Sequence, residues 1–218
     1  MKYLIVALTL CLVFCNQLSA DSSGTIGGGL GATMPQGEFN EYTKTGFSIM
    51  GFGKINPFDI PWAGLRLGLQ LVLFENEGRV VFFEGFPYDE IYTNNLIKGT
   101  LGLEVSKRFF AFEPYGGAGI GIYYFRTETE VKNSAGEVLI SQVIDSKTKF
   151  GWNLNCGIKI ALFPKIAFDF NLQYDIVKNL EQYKNPEGDE NPDNLERVSF
   201  NSGFLSLFAG ISIPFELF

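Results

Sequence analysis

The 218-residue chain contains no histidine. Histidine is the side chain best suited to moving protons near neutral pH, so its absence removes Ser-His and Asp-His catalytic schemes outright. A two-carboxylate site is the remaining acid–base option. Asp169 and Asp175 share a face but stand six residues apart, roughly 20 Å at strand rise, too far to work as a pair. The three cysteines are Cys11, Cys15 and Cys156. The first two fall in an N-terminal apolar stretch, which leaves Cys156 alone and excludes a disulfide framework. Base is also scarce: 17 Lys and Arg stand against 24 Asp and Glu, a net charge of −7. That balance argues against nucleic acid, which needs a basic face. After residue 20 no run of eighteen apolar residues occurs, so no membrane-spanning helix is predicted.

What is present begins with an export signal. Lys2 gives a positive start, Tyr3 to Phe14 is almost unbroken apolar sequence, and Leu18-Ser19-Ala20 ends on the small residues that signal peptidase accepts. The expectation is a cleaved signal peptide over 1–20 and one domain over 21–218. A lipid-anchored form is disfavoured because Phe14, a bulky residue, precedes Cys15. Removal of 1–20 takes away one base and leaves the domain at about −8.

The dominant signal in that domain is a period of two. From Ala63 to Leu73, Leu65, Leu67, Leu69 and Leu71 alternate with Gly64, Arg66, Gly68, Gln70 and Val72. From Phe150 to Leu162, Trp152, Leu154, Cys156, Ile158 and Ile160 alternate with Asn153, Asn155, Gly157 and Lys159. Phe168, Phe170, Leu172 and Tyr174 alternate with Asp169, Asn171, Gln173 and Asp175. Leu205, Leu207, Ala209, Ile211 and Ile213 alternate with Ser206, Phe208, Gly210 and Ser212. Weaker alternation marks strands at 25–34, 97–106 (with Lys98 and Glu104 on the polar face) and 117–124. Thr45 to Lys54 reads as a strand of undefined phase. A helix would scatter such a pattern around its circumference.

These make eight strands. Their connections alternate between short (55–61, 107–112, 163–165) and longer (35–44, 75–94, 127–147, 178–199). Short turns on one rim and long loops on the other are the arrangement of a transmembrane barrel. The polarity of the two faces agrees. Eight rows of bulky Leu, Ile, Phe and Trp would overfill a narrow eight-stranded lumen, whereas glycine with a few long polar chains would fill it. The predicted fold is therefore an all-β, closed, eight-stranded antiparallel up-and-down transmembrane barrel. Its lumen is expected to be a polar network of Arg66, Gln70, Lys98, Glu104, Lys159, Asp169, Asn171 and Gln173, with charges paired because isolated ones are costly to bury. A soluble lipocalin-like barrel is the alternative with the faces reversed.

The register of one hairpin can be predicted. Centring the turn Phe163-Pro164-Lys165 on Pro164 sets Ile160 beside Phe168, Ile158 beside Phe170, Cys156 beside Leu172 and Leu154 beside Tyr174, all toward lipid. It sets Lys159 beside Asp169, Gly157 beside Asn171 and Asn155 beside Gln173 toward the lumen. Opposite charges then face each other, and a slip by one would mismatch every rung.

Several segments resemble the small outer-membrane β-barrel domains of the OmpX and OmpA-barrel type. Gly27-Gly-Gly-Leu-Gly31 is similar to their glycine-rich first strand, and Pro114-Tyr-Gly-Gly-Ala-Gly-Ile-Gly-Ile-Tyr123 to their fifth. Phe204 to Phe215, containing Gly210, resembles the final strand read by the barrel-insertion machinery, with Phe215 or Phe218 as the recognised terminal aromatic. The resemblance implies residence in the outer membrane of a bacterial envelope, in contact with lipid and lipopolysaccharide. It also implies a role in surface adhesion or envelope integrity.

No cofactor or metal site is expected. Gly27 to Ala32 has no helix after it and so fails as a phosphate loop. The acidic stretch 178–197 lacks the spacing of a calcium loop. Thr127 to Lys132 and Glu137 to Ile144 alternate around the turn Asn133-Ser-Ala-Gly136, so a hairpin over 127–147 should protrude beyond the membrane. Its edge is a candidate surface for a partner's strand. The expected function is a non-enzymatic structural or surface-interaction protein; a small pore or lipid-handling barrel is the alternative.

Overall fold

The structure is a computed structural model that describes residues 23–41, 43–57, 60, 62–74, 78–83, 86–133, 136–163, 165–184 and 196–216. The expected signal peptide 1–20, its cleavage site and Phe218 lie outside the described residues. The strands are β1 (Ser23–Gln36), β2 (Gly46–Ile55), β3 (Ala63–Phe74), β4 (Gly78–Phe83), β5 (Phe86–Ser106), β6 (Phe112–Lys132), β7 (Val138–Phe163), β8 (Ile166–Lys184) and β9 (Glu196–Glu216). A short 3-10 helix, Gly37–Glu41, joins β1 to β2.

All pairings are antiparallel between chain neighbours, except that β3 also pairs β5 and β9 returns to β1. Eight strands thus close a ring, from β1 through β3 and from β5 through β9. β4 stands outside it, folded back on the first part of β5. The segment 75–94, expected as a loop, therefore carries strand structure. Its described residues, 78–83 and 86–94, lie beyond the level at which β3 and β5 part, Phe74 opposite Asn94, where no lipid-facing row is needed and alternation is not enforced.

The ring shows the predicted inversion. Ile26, Leu30, Leu69, Leu101, Leu103, Ile120, Phe150, Trp152, Leu154, Phe170 and Leu207 point outward and are exposed, Trp152 by 61%. Lys54, Arg66, Lys98, Glu104, Lys159, Asp169 and Asp175 point inward and are buried, each under 10% exposed. Such a surface is stable only where hydrocarbon surrounds it, and closing the sheet pairs the backbone groups that lipid cannot satisfy. Among the described residues no helix is long and apolar enough to cross a membrane; the crossing is made by strands.

The predicted β7–β8 register is the observed one. Ile160 lies opposite Phe168, Lys159 opposite Asp169, Cys156 opposite Leu172 and Leu154 opposite Tyr174. Cys156 is exposed on the outer wall. β2 has the phase the sequence left open: Ser48, Met50, Phe52 and Lys54 are buried inward, while Phe47 and Ile49 face out.

Beyond the ring the strands continue. A membrane crossing needs about 9–11 strand residues, whereas β6 has 21 and β7 has 26. β7 meets β8 only from Gly151, opposite Val177. On the long-loop rim, β4, β5, β6 and the first half of β7 therefore make one projecting sheet, and the ends of β8 and β9 make a second ladder. The β6–β7 turn forms as predicted. Gly136 takes φ +82, Gly136 N–H donates to Asn133 C=O at 2.8 Å, and Asn133 Oδ1 accepts from Glu137 N–H at 2.9 Å.

Candidate functional site

Two regions hold polar or unpartnered groups that packing alone does not require: the lumen and the projecting sheet. The lumen is layered from the short-turn rim to the long-loop rim.

The first layer centres on Glu104, supplied by β5 and fully buried. Its carboxylate takes Arg66 on one oxygen. The other lies 3.3 Å from both Lys54 and Lys159. Lys54 also donates to Ser106 Oγ at 2.9 Å. The cations are further held against aromatic faces, Arg66 at 3.9 Å from the Phe52 centroid and Lys159 at 4.9 Å from that of Tyr115. Three cations around one carboxylate leave an excess of positive charge. Asp169 and the half-buried Glu113, 3.8 Å from Lys159, offset it.

Asp169 sits opposite Lys159 in the ladder but accepts a hydrogen bond, 2.6 Å long, from Tyr115 O–H. Asn171 donates to the same phenol oxygen at 2.8 Å. Backbone register thus places Lys159 and Asp169 side by side, while Lys159 leans the other way, over β6, to Glu104 on β5. A lysine stem is long enough to span the one intervening strand. Tyr115 fits because its partner across the ladder is Gly157, where a Cβ would stand 2.4 Å from the phenol oxygen.

The second layer is Lys98 paired with Asp175. Asp175 also accepts from Tyr123 O–H at 2.7 Å and Asn153 Nδ2 at 2.8 Å, with Gln173 at 3.4 Å. Beside it, Thr33 Oγ1 lies 3.0 Å from Ser48 Oγ and 2.9 Å from Ser206 Oγ, and Gln70 Nε2 donates to Thr33 at 3.0 Å. A cavity of about 20 Å³ lies between these layers, lined in part by Arg66, Thr100, Asn153 and Gln173. It has room for roughly one water.

The third layer is apolar, unlike the polar lumen expected throughout. Val72, Phe74, Leu96, Phe125, Val177, Leu180 and Phe204 are buried together, and Phe39 of the 3-10 helix enters from above. The Phe39 ring meets Phe74, Phe125 and Phe204 with centroids 6.1, 6.2 and 5.5 Å apart, edge to face. Near the long-loop rim of the ring the inward residues become aliphatic and aromatic.

All eight residues named for the lumen, Arg66, Gln70, Lys98, Glu104, Lys159, Asp169, Asn171 and Gln173, are therefore buried inside the ring. Sequence reasoning omitted Lys54, because the phase of β2 was unreadable. It also omitted Asp175, Asn153, Tyr115 and Tyr123 as members of the network, although Asp175 and Asn153 sit on faces it had assigned inward. Phe39 carried no periodic signal. Of the assembly residues, Gly210 pairs with Gly29 and Phe215 with Gly24. The Phe215 ring lies over Gly24, where a Cβ would be 2.4 Å from it. No group of three or more metal-ligating side chains occurs among the described residues.

A closed ring of eight strands, apolar outside and ionic within, defines an integral outer-membrane β-barrel. The profile of the outer membrane protein beta-barrel domain family matches residues 5–204, and the chain belongs to that family. Solved structures share its fold. OprG of Pseudomonas aeruginosa is 11% identical, with 92% of this chain and 99% of OprG covered and a TM-score of 0.55. A major outer membrane protein of Thermus thermophilus is 14% identical, over 89% of this chain and 99% of that one, with a TM-score of 0.52. Ail, the attachment invasion locus protein of Yersinia pestis, is 12% identical over 89% and 99%, with a TM-score of 0.50. No curated protein sequence matches the chain significantly.

Proposed function

We propose that the chain is a non-enzymatic surface-interaction protein, exported by a signal peptide over 1–20, whose barrel (within 21–218) anchors the projecting sheet for contact with a partner outside the cell. The observation that carries this reading is the open edge of β7. From Val138 to Phe150 that strand is paired to β6 and not to β8. Its Val138, Leu139, Ile140, Val143 and Ile144 are 43–54% exposed. Consecutive residues are exposed, so both faces of the ladder and its edge meet solvent. Edges of this kind recruit an extended segment by backbone pairing, and neighbouring side chains add selectivity.

Ail is described in complex with a heparin analogue. A polyanion is not the partner we favour for this chain. Residues 126–149 carry four bases and four acids within a chain of net charge −7, so the hairpin offers no basic face. The supporting experiment compares cells displaying the full chain with cells in which residues 128–144 are replaced by Asn-Gly. We expect at least a tenfold drop in attachment to protein-coated surfaces, with unchanged heat-modifiable mobility of the barrel. Equal attachment by both would overturn the reading.

The packing of the lumen supports this reading over a pore. With Glu104, Lys98 and Asp175 buried in ion pairs across its bore, the refolded protein should show no unit conductance in planar bilayers. Steady channel openings would favour the pore.

A further inference from the structure

We infer that the apolar cup at the long-loop end of the lumen is a binding site for a small aromatic alcohol or similar compact amphiphile, and that Phe39 is its built-in plug. Three observations place it there.

The walls come from the strands, but the filling does not. Val72, Phe74, Leu96, Phe125, Val177, Leu180 and Phe204 project from β3, β5, β6, β8 and β9, and their positions are fixed by the ring. Phe39 comes from a five-residue 3-10 helix in the β1–β2 connection. Such helices have poor hydrogen-bond geometry and form only short pieces. This one begins at Gly37, whose φ of +72 puts a conformationally permissive residue at the joint with β1. The cup thus accepts a phenyl ring that is carried on the least regular element around it.

Next, polar groups that Phe39 cannot satisfy flank the cup. Ser202 Oγ and Gln70 Oε1 are buried, with residue exposures of 2% and 4%, and neither has a hydrogen-bond partner. Ser202 stands opposite Val177 and two residues above Phe204 on the same face. Gln70 stands two residues below Val72. They bracket the phenyl layer from above and below. A hydrocarbon ring leaves both unmade, at a cost that a ligand hydroxyl would relieve.

Last, there is space to leave through. A cavity of about 50 Å³ adjoins Phe39, Phe74, Phe125 and Leu180 and is bordered by Arg126, Asp145 and Lys147 on the outer side. A molecule entering from the cell exterior would therefore meet the Phe39 ring first. The apparent affinity of the cup is then its intrinsic affinity reduced by the fraction of time Phe39 is withdrawn.

The test uses the full chain refolded in detergent, with 4-fluorobenzyl alcohol as probe and fluorine NMR line width as readout. Three proteins are compared: wild type, Phe39→Ala, and Phe39→Ala combined with Leu180→Glu, each shown to be folded by its heat-modifiable gel shift. The expected result is saturable binding to wild type and at least tenfold tighter binding to Phe39→Ala. The Leu180→Glu combination should abolish it, while partition into micelles stays constant. Binding to Phe39→Ala with none to wild type would overturn the inference, because Phe39 would then be ordinary core. So would no binding to either protein, or wild-type binding that neither substitution changes.

Discussion

At the short-turn end of the lumen, Arg66, Lys54 and Lys159 converge on one carboxylate; at the long-loop end, seven strand residues and Phe39 converge on one another with no charge among them. Both regions fill the same bore and both tie distant strands together, by different physics. With lipid outside, the strands gain little from turning apolar residues outward, so cohesion across the barrel must come from within. In the ionic half it is directional and all-or-none: a buried charge stripped of its partner is far costlier than the pair itself is favourable. In the aromatic half it is graded, growing with buried area and falling smoothly as atoms are removed.

That contrast can be broken most sharply at Glu104. Glu104→Ala leaves three buried cations without their shared anion. The expected loss is about 5 kcal/mol, read as failure to recover the heat-modifiable form on refolding. Wild-type refolding yield would show that the carboxylate is not what holds this half together. In the other half, Phe204→Ala should cost about 3 kcal/mol, seen as a lower urea midpoint in a protein that still folds. A smaller effect tests the link between Tyr115 and Asp169. Tyr115→Phe removes the donor to Asp169 and the acceptor for Asn171, an expected loss of about 1–2 kcal/mol. The smallest effect is a coupling: Tyr115→Phe and Leu180→Ala, one in each half, should add to within about 0.5 kcal/mol. A larger coupling would mean the two halves form one cooperative unit.

The same two regions differ in how far they could be read from the chain. In the ionic half the strands at 63–73 and 150–176 alternate cleanly and that at 97–106 more weakly, and a charge on the minority face has nowhere to go but inward. Arg66, Lys98, Glu104, Lys159 and Asp169 were therefore legible one by one, together with the β7–β8 register. Their partners were not all legible. Lys159 reaches Glu104 rather than its ladder neighbour, because contact over an intervening strand depends on tilt and stagger, which one strand's sequence does not encode. Lys54 was lost because β2 has Met50 and Phe52 inside and Phe47 and Ile49 outside, so apolar residues on both faces erase the period. The aromatic half was hidden for a related reason. An inward Phe204 or Phe125 looks like an outward one unless phase is carried up from the charged rungs below, and Phe39 lies on no strand at all. β4 escaped notice because, above the membrane, no solvent of fixed polarity imposes alternation.

The seam between β1 and β9 has a consequence for how the protein comes to exist. Fourteen residue pairs join the first strand to the last, from Ser23 opposite Glu216 to Gln36 opposite Gly203. Every one spans nearly the whole barrel sequence, so none can form until all the intervening hairpins have been laid down. Local hairpins close quickly; this seam waits on the entire chain and imposes the largest loop-closure entropy in the fold. Until it zips, two edges lie open to any other strand in the periplasm. Assembly speed and the risk of aggregation are therefore both concentrated in β9, the strand that closes the ring.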